Sequence, residues 1–262
     1  MPALKLHNDN INISCLRFGN TDGKPFVILP GISVKSVMGS AELIEKQYQS
    51  LAGEYDVYLI DRRSNIPSEY SIHDMADDTI AALDMLGISN AVLYGVSQGG
   101  MMSLDIAVKR PDIVRKLVLC STSAYANETS RAILDTWVKL AEEKAAEELV
   151  LSFAEKVYSR EYSEKYRSAF IKFSRSITEE ELDNFIIMVK GTYGFDVRDN
   201  IGYIKAPVLV MGAGQDMIFT DAPSKEIAQL TGGELYIYSK EAHGVYDEVP
   251  DVIARIKAFS DK

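Results

Sequence analysis

Ala91-Val92-Leu93-Tyr94-Gly95-Val96-Ser97-Gln98-Gly99-Gly100 is the stretch that decides how this chain folds. Residues 91–94 form an apolar run with the character of a buried strand, and residues 98–109 have the amphipathic spacing of a helix that ends before Pro111. Between them lies a Gly-x-Ser-x-Gly turn. Passing straight from strand to helix forces a strained backbone, and Gly95 and Gly99 supply the small residues that let such a turn close. The turn lifts the Ser97 hydroxyl to the carboxyl end of the strand and sets it at a helix N-terminus, where backbone N–H groups favour developing negative charge. The bare pattern is weak, arising by chance in roughly one chain in ten of this size. Its placement between strand and helix is what gives it weight.

Outward from this turn, short β-rich runs alternate with longer amphipathic stretches. Residues 26–29 read as a strand ended by Pro30-Gly31, 41–51 as helix, 57–60 as strand, 72–86 as a helix stopped at Gly87, and 117–120 as strand. A βαβαβαβ order of this kind predicts a parallel sheet with helices on both faces. Residues 4–7 and 11–18, joined by Asn8-Asp9-Asn10, read as an antiparallel hairpin at the sheet edge. From about 127 to 190 the rhythm breaks and the chain is helical almost throughout. Ile133, Leu134, Trp137 and Leu140 share one helical face; Tyr162, Tyr166, Phe170 and Phe173 share another. Such aromatics suit a small helical core, and an insertion covering an apolar cleft would look the same. Strand 207–211, helix 224–230, strand 235–238 and helix 250–259 then resume the alternation. The expectation is a single α/β domain with a mostly parallel eight-stranded sheet. Residues 1–124 and 204–262 build its core, and residues 125–203 are inserted after the sixth strand.

Composition narrows the functional classes. At 262 residues, 47% hydrophobic and 25% charged, the chain is ordinary for a globular protein, and its net charge of -10 disfavours general binding to nucleic acid or anionic membranes. Cys15 and Cys120 lack metal-ligand spacing to any histidine and read as buried, reduced thiols. Neither a signal-peptide pattern nor an apolar run near the ~18 residues of a membrane span is visible, so a cytoplasmic protein, monomer or homodimer, is expected. With no phosphate-binding glycine run and no Cys/His cluster, neither cofactor nor metal is anticipated.

A serine hydroxyl is a poor nucleophile at neutral pH and needs a base within reach and a group to orient that base. Of three histidines, His7 lies in the edge hairpin and His73 near a helix start, where both read as surface residues. His243 follows the last strand on Ser239-Lys240-Glu241-Ala242-His243-Gly244, and so projects from the same sheet edge as Ser97. Asp216, in Gly212-Ala213-Gly214-Gln215-Asp216, lies just beyond strand 207–211 at that edge. Its rival Asp221 suits a helix N-cap better, and Glu241 and Asp247 flank the histidine too closely to pair with its second nitrogen. Ser97, Asp216 and His243 each follow a different strand.

These residues resemble the α/β-hydrolase fold superfamily, in particular its capped serine hydrolases of the esterase-like branch. The resemblance spans nearly the whole chain and makes the helical insertion a cap. It implies Ser97 as nucleophile, His243 as general base then acid, and Asp216 as the orienting carboxylate. Backbone N–H groups of Gln98 and Ile32 would form the oxyanion hole. Two departures stand out: Pro30 occupies a position where histidine often precedes the glycine, and Asp61-Arg62-Arg63-Ser64-Asn65 lacks the glycines common after that aspartate and arginine. A serine at the elbow argues against the haloalkane dehalogenases, which place a carboxylate there. The implied activity is hydrolysis of a small, fairly apolar ester, thioester or related acyl substrate through an acyl-enzyme. Carbon-carbon bond hydrolysis, lactone opening, perhydrolysis and amide cleavage use the same triad, and some capped relatives are ligand sensors with slow turnover. Ser33 and Gln98 are expected to border the acyl site, with Met217, Ile218, Val245 and Trp137 as apolar walls; for Trp137 a core position is equally compatible.

Overall fold

A computed structural model describes residues 3–7 and 11–262. The strands are β1 (Leu4–His7), β2 (Asn12–Gly19), β3 (Lys24–Leu29), β4 (Tyr55–Arg63), β5 (Ala91–Val96), β6 (Val114–Cys120), β7 (Val208–Ala213) and β8 (Glu234–Tyr238). They form one eight-stranded sheet in the order β1-β2-β4-β3-β5-β6-β7-β8. β1 and β2 pair antiparallel at one edge, β2 pairs antiparallel with β4, and every other neighbour is parallel. The Asn8-Asp9-Asn10 turn lies outside the described residues.

All six residues of β5 and all six of β7 are buried, the continuous apolar pattern of strands covered on both faces. Successive side chains feed two separate cores. Val27, Leu29, Leu93, Leu117, Leu119 and Val210 point into one, with α2 (Ile72–Met85), α3 (Gln98–Lys109) and α10 (Ala222–Thr231). Phe26, Ile28, Val92, Tyr94, Val118 and Met211 point into the other, against α1 (Ala41–Gln47) and α12 (Asp251–Asp261). Gly95 therefore faces α3, and that is where a side chain cannot be accommodated.

Between β6 and β7 the chain forms α4 (Glu128–Glu142), α5 (Ala146–Val157), α6 (Arg160–Lys165), α7 (Arg167–Ser174), α8 (Glu179–Lys190) and α9 (Arg198–Ile201). Their starts are set by polar caps: Asn127 accepts from Ser130 N–H, Ser159 from Tyr162 N–H, and Thr178 and Glu181 form a reciprocal capping box. Trp137, Leu149, Leu182 and Phe185 bury themselves between these helices.

Several local expectations need correction. β4 runs on through Asp61 and Arg62 to Arg63, where a loop was expected, because Ile13 of β2 pairs with Arg63 across a register shift. The helix expected over 41–51 stops at Gln47 and continues only as a single 3-10 turn over Gln49–Leu51. Tyr162, Tyr166, Phe170 and Phe173 do not share one helix, since the chain breaks at Tyr166. Two of these rings instead pack on Tyr158, Tyr162 at 4.6 Å and Phe170 at 5.8 Å, and Tyr166 packs on Tyr162 at 4.5 Å. Asp221 sits at the N-cap of α10 with helical backbone angles and no capping bond; its carboxylate pairs with Lys225 at 2.7 Å.

Candidate active site

Ser97 lies between β5 and α3 with φ 50° and ψ −119°, a backbone region that non-glycine residues seldom occupy. The neighbourhood imposes it. Ser97 N–H donates to Cys120 O at 3.0 Å, and Ser97 O accepts from Thr122 Oγ1 at 2.6 Å. A Cβ on Gly95 would stand 2.3 Å from Ser103 Oγ, and one on Gly99 would stand 2.1 Å from Leu29 O. Only glycine fits either place. Gln98 is the first residue of α3, so its N–H has no carbonyl one turn earlier in the helix to bond and points toward the serine's end of the sheet. The loop after β3 closes on the elbow: a Cβ on Gly31, next to Ile32, would lie 3.3 Å from Ser97 Cβ.

Asp216 and His243 are joined directly. His243 Nδ1 lies 2.8 Å from Asp216 Oδ2, and both side chains are almost fully buried. A carboxylate can only accept, so Nδ1–H is the donor, and in the neutral ring the lone pair then lies on Nε2. The other oxygen, Asp216 Oδ1, accepts from Ile218 N–H at 2.7 Å and Phe219 N–H at 3.0 Å, which fixes the carboxylate before the histidine is considered. The two loops are tied together by Gln215 N–H donating to Glu241 O at 2.9 Å. Phe219 packs on the imidazole with ring centroids 5.6 Å apart.

Ser97 and His243 line the same cavity, about 30 Å³ in volume. Ile32, Gln98 and Ile218 also line it, as does Trp137, which is both a core residue (1% exposed) and a wall. Other expected walls lie elsewhere. Met217 is 47% exposed and faces an outer groove, because the Asp216 turn sends it and Ile218 to opposite sides. Val245 is fully buried beneath the sheet with Met211 and Ile256. Ser33 is half-buried and off the cavity; Val34 beside it is the residue packed into the core. Residues not anticipated complete the walls: Phe153, Val157, Leu134 and Thr192 from the helical insert, and Phe219 and Tyr246 from the core.

A further support was missed. Arg62 Nη2 donates to Pro30 O at 2.9 Å and to Gln98 Oε1 at 3.1 Å, and Gln98 Nε2 donates to Met188 O of α8 at 2.9 Å. The guanidinium thus ties the loop of Ile32 to the elbow, and the Gln98 amide ties the elbow to the insert. Burial pulls the guanidinium below its ordinary pKa, opposed by Tyr70 and Asp61, and its Nε and Nη1 are buried without a protein partner. Burial raises the neighbouring Asp61 carboxyl, which accepts from Ser36 Oγ at 2.5 Å. No sequence signal marks these contacts, since Pro30 and Met188 take part through main-chain oxygens.

A serine on a strained strand-to-helix turn and the histidine of a buried histidine-aspartate pair thus line one small cavity at the end of an open α/β sheet. The chain belongs to the alpha/beta hydrolase fold family, whose match extends over residues 24–250, and it is a hydrolase enzyme. It is 25% identical over 239 residues to a Rhizobium rhizogenes protein that carries the name carbamate hydrolase RutD, covering 86% of this chain and 87% of that one. Among solved structures it resembles MGS-M2, an alpha/beta hydrolase enzyme from a Medee basin deep-sea metagenome library. The TM-score is 0.89 at 20% identity, with 99% and 98% of the two chains covered. It is also similar to the enol-lactonase of Burkholderia xenovorans LB400, with TM-score 0.85 at 17% identity, covering 99% of this chain and 100% of that one. Among the described residues no group of histidine, cysteine and acidic side chains could hold a metal, and no helix is long and apolar enough to cross a membrane.

Proposed function

We propose that this protein is a serine hydrolase acting on a small acyl substrate through Ser97, His243 and Asp216. The observation that carries the reading is the buried His243–Asp216 bond at 2.8 Å opening onto the same cavity as a serine with φ 50°. Nε2 of His243 takes the Ser97 proton as Oγ attacks the carbonyl carbon. The resulting oxyanion is held by Ile32 and Gln98 N–H, and His243 then protonates the leaving group. Water attacks the acyl-enzyme by the reverse proton path, freeing the acid and restoring Ser97. Asp216 stays ionised, holding the tautomer and stabilising the imidazolium.

Cavity size supports a short acyl group. At about 30 Å³ the cavity is small, which favours a short acyl group over a long one. Its walls are mainly Leu134, Trp137, Phe153 and Ile218, which suit an apolar acyl chain. Esters and thioesters of acetate and propionate are the first substrates to assay. Carbamates belong in the same panel, because relatives at this identity carry that name and a carbamate presents the same carbonyl to Ser97.

Fluorophosphonate labelling followed by peptide mapping, together with a panel of esters of increasing acyl length, tests this. An adduct on Ser97, turnover highest with the shortest acyl groups, and a loss of about a million-fold in Ser97→Ala and His243→Ala are expected. No adduct at Ser97 would remove the proposal. Labelling with only a single slow turnover would transfer it to a ligand-sensing role.

A further inference from the structure

The chain around His243 is held from two sides. The core holds it at Glu241 through Gln215 N–H, and at Tyr246 O through Gln47 Nε2 at 2.8 Å. The helical insert holds it through three consecutive residues at the end of α5. Val157 O accepts from Gly244 N–H at 2.6 Å, and Tyr158 Oη donates to Asp247 Oδ2 at 2.9 Å. Ser159 N–H donates to Glu248 Oε1 at 2.9 Å, and the Ser159 hydroxyl bonds the other Glu248 oxygen. All three partners fall within α11 (Val245–Glu248) or directly before it, the single turn that follows the histidine. Tyr158 also packs closely against Gly244, where a Cβ would stand 2.5 Å from its ring. That is the fit of a specific seat rather than of a passing contact.

The same insert roofs the cavity. Leu134, Trp137, Phe153 and Val157 line it from the insert side, so its shape depends on how the insert sits on the core. Val157 belongs to both devices: its side chain lines the cavity, and its carbonyl holds Gly244 next to His243. We infer that the Val157-Tyr158-Ser159 elbow is a positioning element for His243, so that closure of the insert over an acyl substrate and alignment of the base are one event. This rests on the serine-hydrolase reading above. An insert displaced from the core pulls on Gly244 and α11 and misplaces the imidazole. A reseated insert restores it, and proton transfer from Ser97 is then efficient only with the substrate enclosed.

Tyr158→Phe, Ser159→Ala and Glu248→Gln each remove part of the seat without touching the cavity. The experiment measures kcat and KM on a short acyl ester, the rate of fluorophosphonate labelling at Ser97, and thermal unfolding, all in the full-length protein. Each single variant is expected to lose about tenfold in kcat, and the Tyr158→Phe/Glu248→Gln pair about a hundredfold, with KM nearly unchanged, as for a misplacement of about 1 Å. Labelling should slow in parallel, since it needs the same base. Ser159→Thr, which keeps the hydroxyl and the N–H, should retain wild-type kcat. Wild-type kcat and labelling in variants whose unfolding temperature has fallen would overturn the inference, reducing the seat to a fastening for the insert. Absence of labelling in the wild type is a different failure, that of the serine-hydrolase reading itself. Should the pair not fold, Tyr158→Phe and Ser159→Ala, which delete one hydroxyl each, carry the test.

Discussion

Gly99→Ala tests whether the oxyanion loop and the elbow are as closely registered as the geometry requires. An added Cβ would stand 2.1 Å from Leu29 O and 2.5 Å from Pro30 O, both main-chain atoms with no side-chain freedom to yield. Real Cβ contacts stay beyond about 3.0 Å, so the loop carrying Gly31 and Ile32 must retreat by about 0.9 Å. A displacement near 1 Å at a reacting centre costs on the order of a hundredfold, and loss of one oxyanion donor costs about 100- to 1000-fold. Turnover should therefore fall by about a hundredfold or more, equivalent to at least ~2.7 kcal/mol of transition-state stabilisation. Overpacking of this kind also destabilises by roughly 1–3 kcal/mol. From a typical stability of about 5–15 kcal/mol, that leaves nearly all molecules folded, so unfolding cannot account for the lost rate. The assay is kcat on the best short ester at 25 °C, with circular dichroism to confirm the fold. Turnover within threefold of wild type in a folded Gly99→Ala protein would refute the placement of the oxyanion hole at Ile32 and Gln98.

Asp216→Asn should keep the bonds from Ile218 and Phe219 N–H through its carbonyl oxygen while turning an NH2 toward His243 Nδ1, forcing the wrong tautomer; kcat should drop by roughly 10⁴, and a loss below about 100-fold would count against the assigned role. Trp137→Ala should enlarge the cavity and move the acyl-length optimum upward, at a stability cost of about 3–5 kcal/mol that unfolding curves will show. Burial pushes the Cys15 and Cys120 thiols up to about 12, so at pH 8 roughly one thiol in 10,000 is ionised and a disulfide reagent should leave the native protein unlabelled. Unfolding in guanidinium should release both thiols, and fast labelling of either in the folded protein would contradict its placement.

What the chain discloses about itself follows a physical division. Strand-to-helix passage through Gly95-Val96-Ser97-Gln98-Gly99 was legible because the turn excludes side chains on both sides, and only glycine meets that demand. Asp216 and His243 could be proposed from their places after β7 and β8, since a parallel sheet sends the ends of its strands to one edge. The walls were harder, because nearness along the chain does not set side-chain direction. Met217 and Ile218 are adjacent and face opposite ways, while Val245, two residues past His243, lies under the sheet. The extension of β4 through Asp61 and Arg62 was hidden because its ladder partner, Ile13 of β2, is distant in sequence and pairs across a register shift. The break at Tyr166 carried no glycine or proline to announce it.

The strain at Ser97 shows why so much of the surrounding chain is committed to this one residue. A non-glycine residue in such a backbone region costs on the order of 1–3 kcal/mol and persists only where its surroundings over-determine it. Here the determination comes from several sides: Cys120 at the end of β6 and Thr122 just beyond it fix its main chain, and Ser103 fills the space behind Gly95. Leu29 and Pro30 press on Gly99, and Arg62 binds both Pro30 and Gln98. Relaxing the turn to an ordinary conformation would move Oγ away from the cavity and rotate Gln98 N–H out of line. The strain is thus what holds the Ser97 hydroxyl and the Gln98 N–H, one residue apart, at the same end of the sheet.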